Sequence, residues 1–460
     1  MRVAQDPGAA FLGALLIALL LAGAGEATAG SVAAATNHTM PTVCETDELR
    51  LPPEFDRRLD LRLTELTDEM IDHGIAPGAV LMIEQDGVLV YSHASGLADA
   101  EDGRAMADDA LFRLYSMTKP VTSIAALRLA SSEALHLRDP VSKFIPEFAA
   151  VRTANGSVSR PVTIADLLTH QAGIIYRTDT ERSGGELYRA RGIPAGPGVD
   201  APPTDGGAPI TTSADLSGAI AGIALANDPG EAFTYGNATD VLGHVIEVVT
   251  GQSLGEALDD LVFVPLGMTD TAFYVPQDRW HLLTSAYTAA SQFPEETRAV
   301  LSGVDRERLG PAKLTKVDDD ESSIFLTRPA IEYGGAGLVG SGRDYLKFMR
   351  GVRTGLDRAG HPLLTPEIAR LTRSNHLTRA ARADAQYLDG LAFTYGFALK
   401  MRPTTDHPVF PKCGLFWGGA ASTYFWIDPD GRTSGVFMTQ VFGGDVKSYF
   451  IEMVRAIYDQ

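Results

Sequence analysis

Cysteine is almost missing from this chain of 460 residues: Cys44 and Cys413 are its only two. Two thiols cannot make a disulfide scaffold or a four-thiolate metal cage. Positive charge is short as well. With 39 Lys and Arg against 58 Asp and Glu, the formal net charge is −19, and so acidic a surface repels phosphate backbones, which argues against a nucleic-acid partner. After the first 25 residues no stretch is long and apolar enough to span a bilayer. No internal repeat is visible, and His170 and His244 lack a partner at metal-ligand spacing, so no metal is expected. What remains has globular composition, 45% hydrophobic and 21% charged, with enough apolar side chain for a sizeable core.

The amino terminus reads as a targeting segment. Arg2 precedes an apolar stretch from Gly8 to Gly25, and Ala27-Thr28-Ala29 offers the small residues a signal peptidase reads. We expect residues 1–29 to be a cleaved signal peptide and the protein to be exported, periplasmic or secreted. Asp6 weakens the positive flank, and the apolar run falls only slightly short of the ~20 residues of a membrane anchor, which is the competing reading. No cysteine lies near the cut to carry a lipid. Residues 30–53 are small and polar and are expected to form a flexible leader. In an oxidising compartment Cys44 and Cys413 are free to pair, but the sequence alone does not bring them together. Asn37-His38-Thr39 spells a glycosylation triplet, relevant only in a host with that machinery.

From Glu54 onward the texture changes. Phe55, Leu59, Leu63, Leu66 and Met70 recur at helical spacing, and the strand-like runs 79–84 and 88–92 flank Asp86-Gly87, a strong hairpin signal. The far end repeats this: runs 415–427 and 433–441 flank Asp428-Pro429-Asp430-Gly431, and a helical stripe closes the chain from Tyr449 to Ile457. The middle is mostly helical, around 119–132, 162–169, 238–250, 254–263 and 341–353, with a long Gly/Pro-rich loop at 183–209. These patterns predict an α+β domain over 54–460: an antiparallel sheet built from both ends (about 54–104 and 390–460) with a helical insertion (about 105–340). A cleft between the two lobes is where a small molecule would bind.

Three short segments could carry chemistry. Ser116-Met117-Thr118-Lys119 opens an apolar helix; i and i+3 share a face, so hydroxyl and amine meet one turn apart, and the helix N-terminus favours an oxyanion. Desolvation there is expected to lower the Lys119 pKa so that it can take a proton. Lysine is scarce, and this is the one Ser with Lys at that spacing. Tyr235-Gly236-Asn237 precedes a helix; a tyrosine beside an ammonium can shuttle a proton, and Asn237 can hold a substrate amide or carbonyl. Taken alone, a buried tyrosine with a capping asparagine is the favoured explanation of it. Trp417-Gly418-Gly419-Ala420 lies on a late strand whose glycines admit a close ligand, although a glycine bulge beside a core tryptophan is the plainer account of it in isolation.

In that order the three segments resemble the serine hydrolases of the β-lactamase and penicillin-binding-protein superfamily, with its Ser-x-x-Lys, Tyr-x-Asn and Lys/His-Thr-Gly motifs. Asp139 to Phe148, Leu167 to Gly173 and Gly334 to Lys347 look similar too, so the likeness runs from about Glu54 to Tyr458. It departs where Trp417 replaces the cation that pairs with a penicillin or peptide carboxylate. That form resembles the esterase branch. The resemblance implies a β-lactamase/transpeptidase-like fold and no cofactor. It implies nucleophile Ser116, base or relay Lys119 and Tyr235, and oxyanion N–H groups from Ser116 and Ala420, with Asn237, Trp417 and Gly419 lining the site. The expected partner is a small ester or acyl substrate, handled by a carboxylesterase or acyl-transferase. The alternatives are a D-amino-acid peptidase or weak β-lactamase, and a non-catalytic cell-wall or ligand-binding module.

Other signals read as structural. Gly251-Gln252-Ser253-Leu254-Gly255 spells a nucleophile elbow, but it follows a helix, and Ser253 with Glu256 makes a capping box. Gly335 to Gly340 spells a dinucleotide fingerprint with no parallel strand before it. His170 is expected as a cation at a helix end, His244 as a core group, and the acidic run 318–321 as a solvated loop.

Overall fold

The computed structural model describes residues 42–44, 53–179, 184–198, 202–289, 314–384, 390–402 and 410–458. The expected signal peptide, most of the leader and the glycosylation triplet lie outside them. Helix α1 (Arg57–Asp72) starts where Asp56 accepts the Leu59 N–H and buries Leu59, Leu63, Leu66 and Met70, the stripe seen in the sequence. Strands β1 (Gly78–Gln85) and β2 (Val88–Asp99) form the expected hairpin, and Asp86 and Gly87 both take positive φ, at 52° and 86°, as the tight turn requires. Strand β2 runs seven residues past the expected end at Ser92, and a short β3 (Arg104–Ala105) pairs with it.

The rest of the sheet comes from the other end of the chain: β4 (Leu391–Phe393), β5 (Ala398–Lys400), β6 (Leu415–Gly419), β7 (Thr423–Asp428) and β8 (Thr433–Met438). All pairs are antiparallel, in the order β4-β5-β6-β7-β8-β1-β2-β3. The two chain ends meet where β8 pairs with β1, from Thr433 opposite Gln85 to Met438 opposite Val80. Both faces of the sheet are covered. Neighbouring strand residues point to opposite faces. Phe425 meets Tyr345 of the helix Gly342–Thr354, and Trp426 donates to the Tyr458 hydroxyl of the closing helix. The sheet is therefore sandwiched between helices.

Between the sheet segments stand α2 (Thr118–Ser131), α3 (Ala238–Thr250) and α4 (Gly342–Thr354); α5 (Val446–Tyr458) closes the chain. Helix α2 is buried from Thr118 to Leu127, so it is wrapped on all sides. The insertion is less purely helical than expected. Ala286–Ala289 pairs with Leu314–Asp318 and with Val441–Phe442, making a small second sheet beside the site. The long loop carries a short helix at Gly185–Ala190, and the 254–263 helix turns π-helical over Asp259–Phe263. Ser253 caps that helix in a reciprocal capping box with Glu256, as read.

The acidic run is not a solvated loop. Asp318 pairs with the fully buried Arg113 at 2.7 Å and Asp320 with Arg104 at 3.2 Å, because a guanidinium without water needs a carboxylate beside it. Cys44 and Cys413 are joined in a disulfide with Cα atoms 5.5 Å apart. It holds Thr42–Val43 as a strand against Ser374–Asn375.

Candidate active site

Ser116 sits in a tight turn, Tyr115–Met117, between the strand Leu111–Arg113 and α2. That strand is paired with Val339–Ser341, and Leu114 donates to Leu338 O at 2.8 Å, so the turn is fixed from behind. Tyr115 takes φ 43°, a left-handed conformation that costs a non-glycine residue about 1–3 kcal/mol. Its ring is gripped between Phe325 and Phe442, with centroids at 6.2 and 5.4 Å.

One turn on, Lys119 Nζ lies 3.1 Å from Ser116 Oγ, the contact the spacing predicts. It also lies 2.9 Å from Tyr176 Oη and 2.7 Å from Gly335 O. Burial alone would push this amine down, as the sequence suggested. Tyr176, Tyr235 and Asp240, together with the Tyr176 hydrogen bond, outweigh it and raise the Lys119 pKa above its ordinary value. The expected lowering is therefore corrected in sign.

Tyr235 presents the face of its ring to Lys119 Nζ, 4.7 Å from the centroid. Its Oη is buried and has no hydrogen-bond partner among the described residues, so it is a polar atom without a function inside the fold itself. The lysine's direct tyrosine partner is Tyr176, which the sequence reading missed. Gly236 explains how it arrives. A Cβ there would stand 2.3 Å from Ile174 O and 2.5 Å from Ile175 C, so only glycine lets the 174–176 backbone cross beneath Tyr-x-Asn. The glycine between Tyr235 and Asn237 is the only local trace of that crossing.

His170 is not the helix-end cation expected. It lies buried with φ 54°, its ring 4.6 Å from Tyr235 and 5.7 Å from both Phe233 and Phe393. Burial, helped by the charge of Lys119, holds its pKa well below 6.5, so it packs as a neutral ring against Tyr235. Asn237 is corrected as well. It is fully buried, and its amide donates to Pro194 O at 3.1 Å and Asp240 Oδ2 at 2.8 Å. With its donors spent it cannot hold a substrate carbonyl; only Oδ1 is left without a partner among the described residues.

Trp417 closes the other side, 5.5 Å from Tyr235 and 5.3 Å from Phe393. Strand β6 then meets the Ser116 turn. A Cβ on Gly419 would come within 2.4 Å of Leu114 O, which sets Ala420 beside the Leu114–Ser116 backbone. Neither the Ser116 nor the Ala420 N–H has an acceptor among the described residues, the condition for an oxyanion hole. Around these groups Ala195, Ala286, Ala420, Ala421 and Phe442 pack with Tyr115, Tyr176 and Tyr235 as an apolar cluster separate from the main core. Gly335 and Asp240 complete the inner ring, and neither was singled out as a site residue from the sequence.

A serine hydroxyl, an amine, two tyrosines and N–H groups without acceptors among the described residues thus come together at one place, the set of groups that acyl transfer through a serine ester needs. Known proteins agree. Esterase EstB of Burkholderia gladioli is 33% identical over 376 residues, 80% of this chain and 87% of that protein. Lovastatin esterase of Penicillium rubens is 30% identical over 396 residues, 80% of this chain and 89% of its own. The solved structure of EstCE1, "a hydrolase with promiscuous acyltransferase activity", superposes with a TM-score of 0.70 at 28% identity, covering 87% of this chain and 98% of that one. The Beta-lactamase family model matches residues 63–456. The chain belongs to the beta-lactamase family, and it is a serine hydrolase of the esterase type.

Proposed function

We propose that this protein is an exported carboxylesterase, competent in acyl transfer, that acts on small uncharged esters through an acyl-enzyme on Ser116. The observation that carries the reading is Trp417, an indole packed on Tyr235 where carboxylate-reading relatives place a cation. An indole gives an ester's apolar part a surface and gives a carboxylate nothing to pair with. The alanine-rich cluster with Tyr115 and Phe442 adds apolar wall around the same serine. Export is supported by the pattern of residues 1–29 and by the Cys44–Cys413 disulfide, since such bonds persist in oxidising compartments.

In this mechanism Ser116 Oγ attacks the ester carbonyl carbon while the Ser116 and Ala420 N–H groups take the developing oxyanion. The Ser116 proton passes to Tyr235 Oη as that hydroxyl gives its own proton to the leaving oxygen. The bond from carbonyl carbon to leaving oxygen then breaks and the alcohol departs. Water, or a second alcohol, attacks the acyl carbon along the reverse proton path, releasing acid or a new ester and restoring the serine. Lys119 orients Oγ at 3.1 Å throughout.

Fluorophosphonate labelling with peptide mapping, beside turnover of p-nitrophenyl acetate and butyrate, tests this. Label on Ser116 and ester turnover lost in Ser116→Ala are expected. Nitrocefin or D-alanyl-peptide turnover matching the ester rate would overturn the ester assignment, and label on Ser253 would overturn the nucleophile.

A further inference from the structure

Three contacts hold Lys119 Nζ, but they do not settle its protonation. Gly335 O can only accept; the Ser116 and Tyr176 hydroxyls can each donate or accept. A neutral amine and an ammonium satisfy the same three distances. What separates them is the charge nearby. Facing Nζ are Ser116 from its own turn, Tyr176 and His170 from the segment before α3, the ring of Tyr235, and Asp240 in the first turn of α3. His170 is neutral, for the reasons given above. Asp240 is the carboxyl in this set.

Asp240 is 6% exposed and has no water-facing role. Oδ2 accepts from Asn237 Nδ2 and Oδ1 from Gly335 N, each at 2.8 Å. Gly335 therefore carries both halves of a bridge: its N–H is fixed by Asp240 and its carbonyl takes Lys119 at 2.7 Å. The bridge has no slack. A Cβ on Gly335 would sit 3.0 and 3.1 Å from the two carboxylate oxygens, and one on Gly334 would sit 2.7 Å from Thr239 O. Thr122, from α2, binds Gly334 O at 2.8 Å and ties the same turn to the lysine's own helix.

We infer that Asp240 is a positioning residue for the reaction: its carboxylate fixes the Gly335 carbonyl on Lys119 and supplies the counter-charge that keeps Lys119 an ammonium through the cycle. This rests on the Ser116 acyl-enzyme reading. The lysine then acts as a cation that orients Ser116 Oγ and steadies charge, and the serine proton travels by Tyr235 Oη. Burial opposes the ionised form of Asp240 and pushes its carboxyl up, while Lys119, Asn237 and the Gly335 N–H pull the other way. Both carboxylate oxygens accept an N–H here, so an amide in its place would lose one of those bonds together with the charge.

The test is the pH profile of kcat/KM for p-nitrophenyl butyrate, corrected for spontaneous hydrolysis, in wild type, Asp240→Asn and Gly335→Ala. In wild type, activity must persist to about pH 10.5, the ordinary lysine value, before its alkaline limb. Removing a charge next to an ammonium lowers its pKa by about 1–3 units, so the alkaline limb of Asp240→Asn should fall by that much, a loss at pH 10 of about threefold for one unit and over tenfold for two or more. Gly335→Ala should move the limb the same way by pressing on the carboxylate. A uniform loss at every pH with the limb unmoved would overturn the inference and leave Asp240 as packing alone. A wild-type limb below pH 9 in folded protein would overturn it even if both variants fail to fold. Fluorophosphonate labelling separates the two levels: no label on wild-type Ser116 sinks the acyl-enzyme reading, whereas label with an unmoved limb sinks only the role of Asp240.

Discussion

Cutting the Cys44–Cys413 disulfide should cost stability without costing chemistry. The bond closes a ring of sequence separation 369, nearly the whole described chain. In the chain-entropy treatment the denatured state loses about 2.1 + 1.5R ln n, or roughly 20 cal/mol/K at this length, worth about 6 kcal/mol at 25 °C. Measured disulfides reach at most about 5, because unfolded chains keep residual structure, so we take about 3–5 kcal/mol. At roughly 2.1 cal/mol/K per residue over about 400 residues, the unfolding entropy is about 0.85 kcal/mol/K, which converts this to a fall in Tm of about 4–6 °C. Catalysis should survive. Cys413 precedes β6, and the strand from Leu415 to Gly419 alone spans about 13 Å at ~3.3 Å per residue. The assay is a thermal melt of wild type against Cys44→Ser/Cys413→Ser at fixed scan rate, with ester turnover at 25 °C expected within twofold. Two reactive thiols in denatured, unreduced wild type, or melts within 1 °C, would refute the reasoning.

The same structure sets two further outcomes. Asp99 is fully buried; burial pushes its carboxyl up, but hydrogen bonds from Lys316, Ser285 and the Asp102 N–H outweigh it and hold the pKa down at about 2. A folded value below the unfolded 3.8 means stability that is present above about pH 4 and lost as pH falls through 2, worth about 2 kcal/mol at neutral pH. Asp99→Asn should therefore melt lower than wild type at pH 7, with the gap closing between pH 4 and 2; a constant gap would refute the linkage. Gly236→Ala drives a methyl against the Ile174–Ile175 backbone at 2.3–2.5 Å. It should cost about 1–3 kcal/mol of stability and at least tenfold in kcat by displacing Tyr176, and a variant with wild-type kcat would show that the crossing does not set the site.

Much of the fold was legible because it is written in local periods. The α1 stripe, the Asp86-Gly87 hairpin and the Ser253 capping box each depend on residues within a turn or two of one another, and each appears where expected. Ser116 and Lys119 belong to the same class, one helical turn apart. What failed depends on who arrives from elsewhere. His170 read as a helix-end cation because the sequence shows the helix end before it, not Phe233, Tyr235 and Phe393 closing over it. Asp318 read as solvated because Arg113 is about 200 positions away. Lys119 read as a depressed amine because burial is a local inference, whereas the groups that reverse its shift come from positions 176, 235 and 240.

The glycines around the site carry this long-range information in a form that the sequence does hold. At three close approaches between its segments one partner is glycine: Gly236 under Ile174–Ile175, Gly335 against Asp240, Gly419 against Leu114. A methyl group there would press on backbone at Gly236 and Gly419 and on the Asp240 carboxylate at Gly335, and each close approach delivers one functional group: Tyr176 to Lys119, a fixed carbonyl to its Nζ, and the Ala420 N–H toward the Ser116 turn. Motif matching treats Gly236 as a spacer and Gly335 as part of a rejected dinucleotide fingerprint. Close approach explains both more economically, because a buried ammonium needs acceptors on several sides at once and no single helix or strand can supply them. The Ser-x-x-Lys turn supplies the reacting pair, and the crossings at glycine set the charge state in which that pair works.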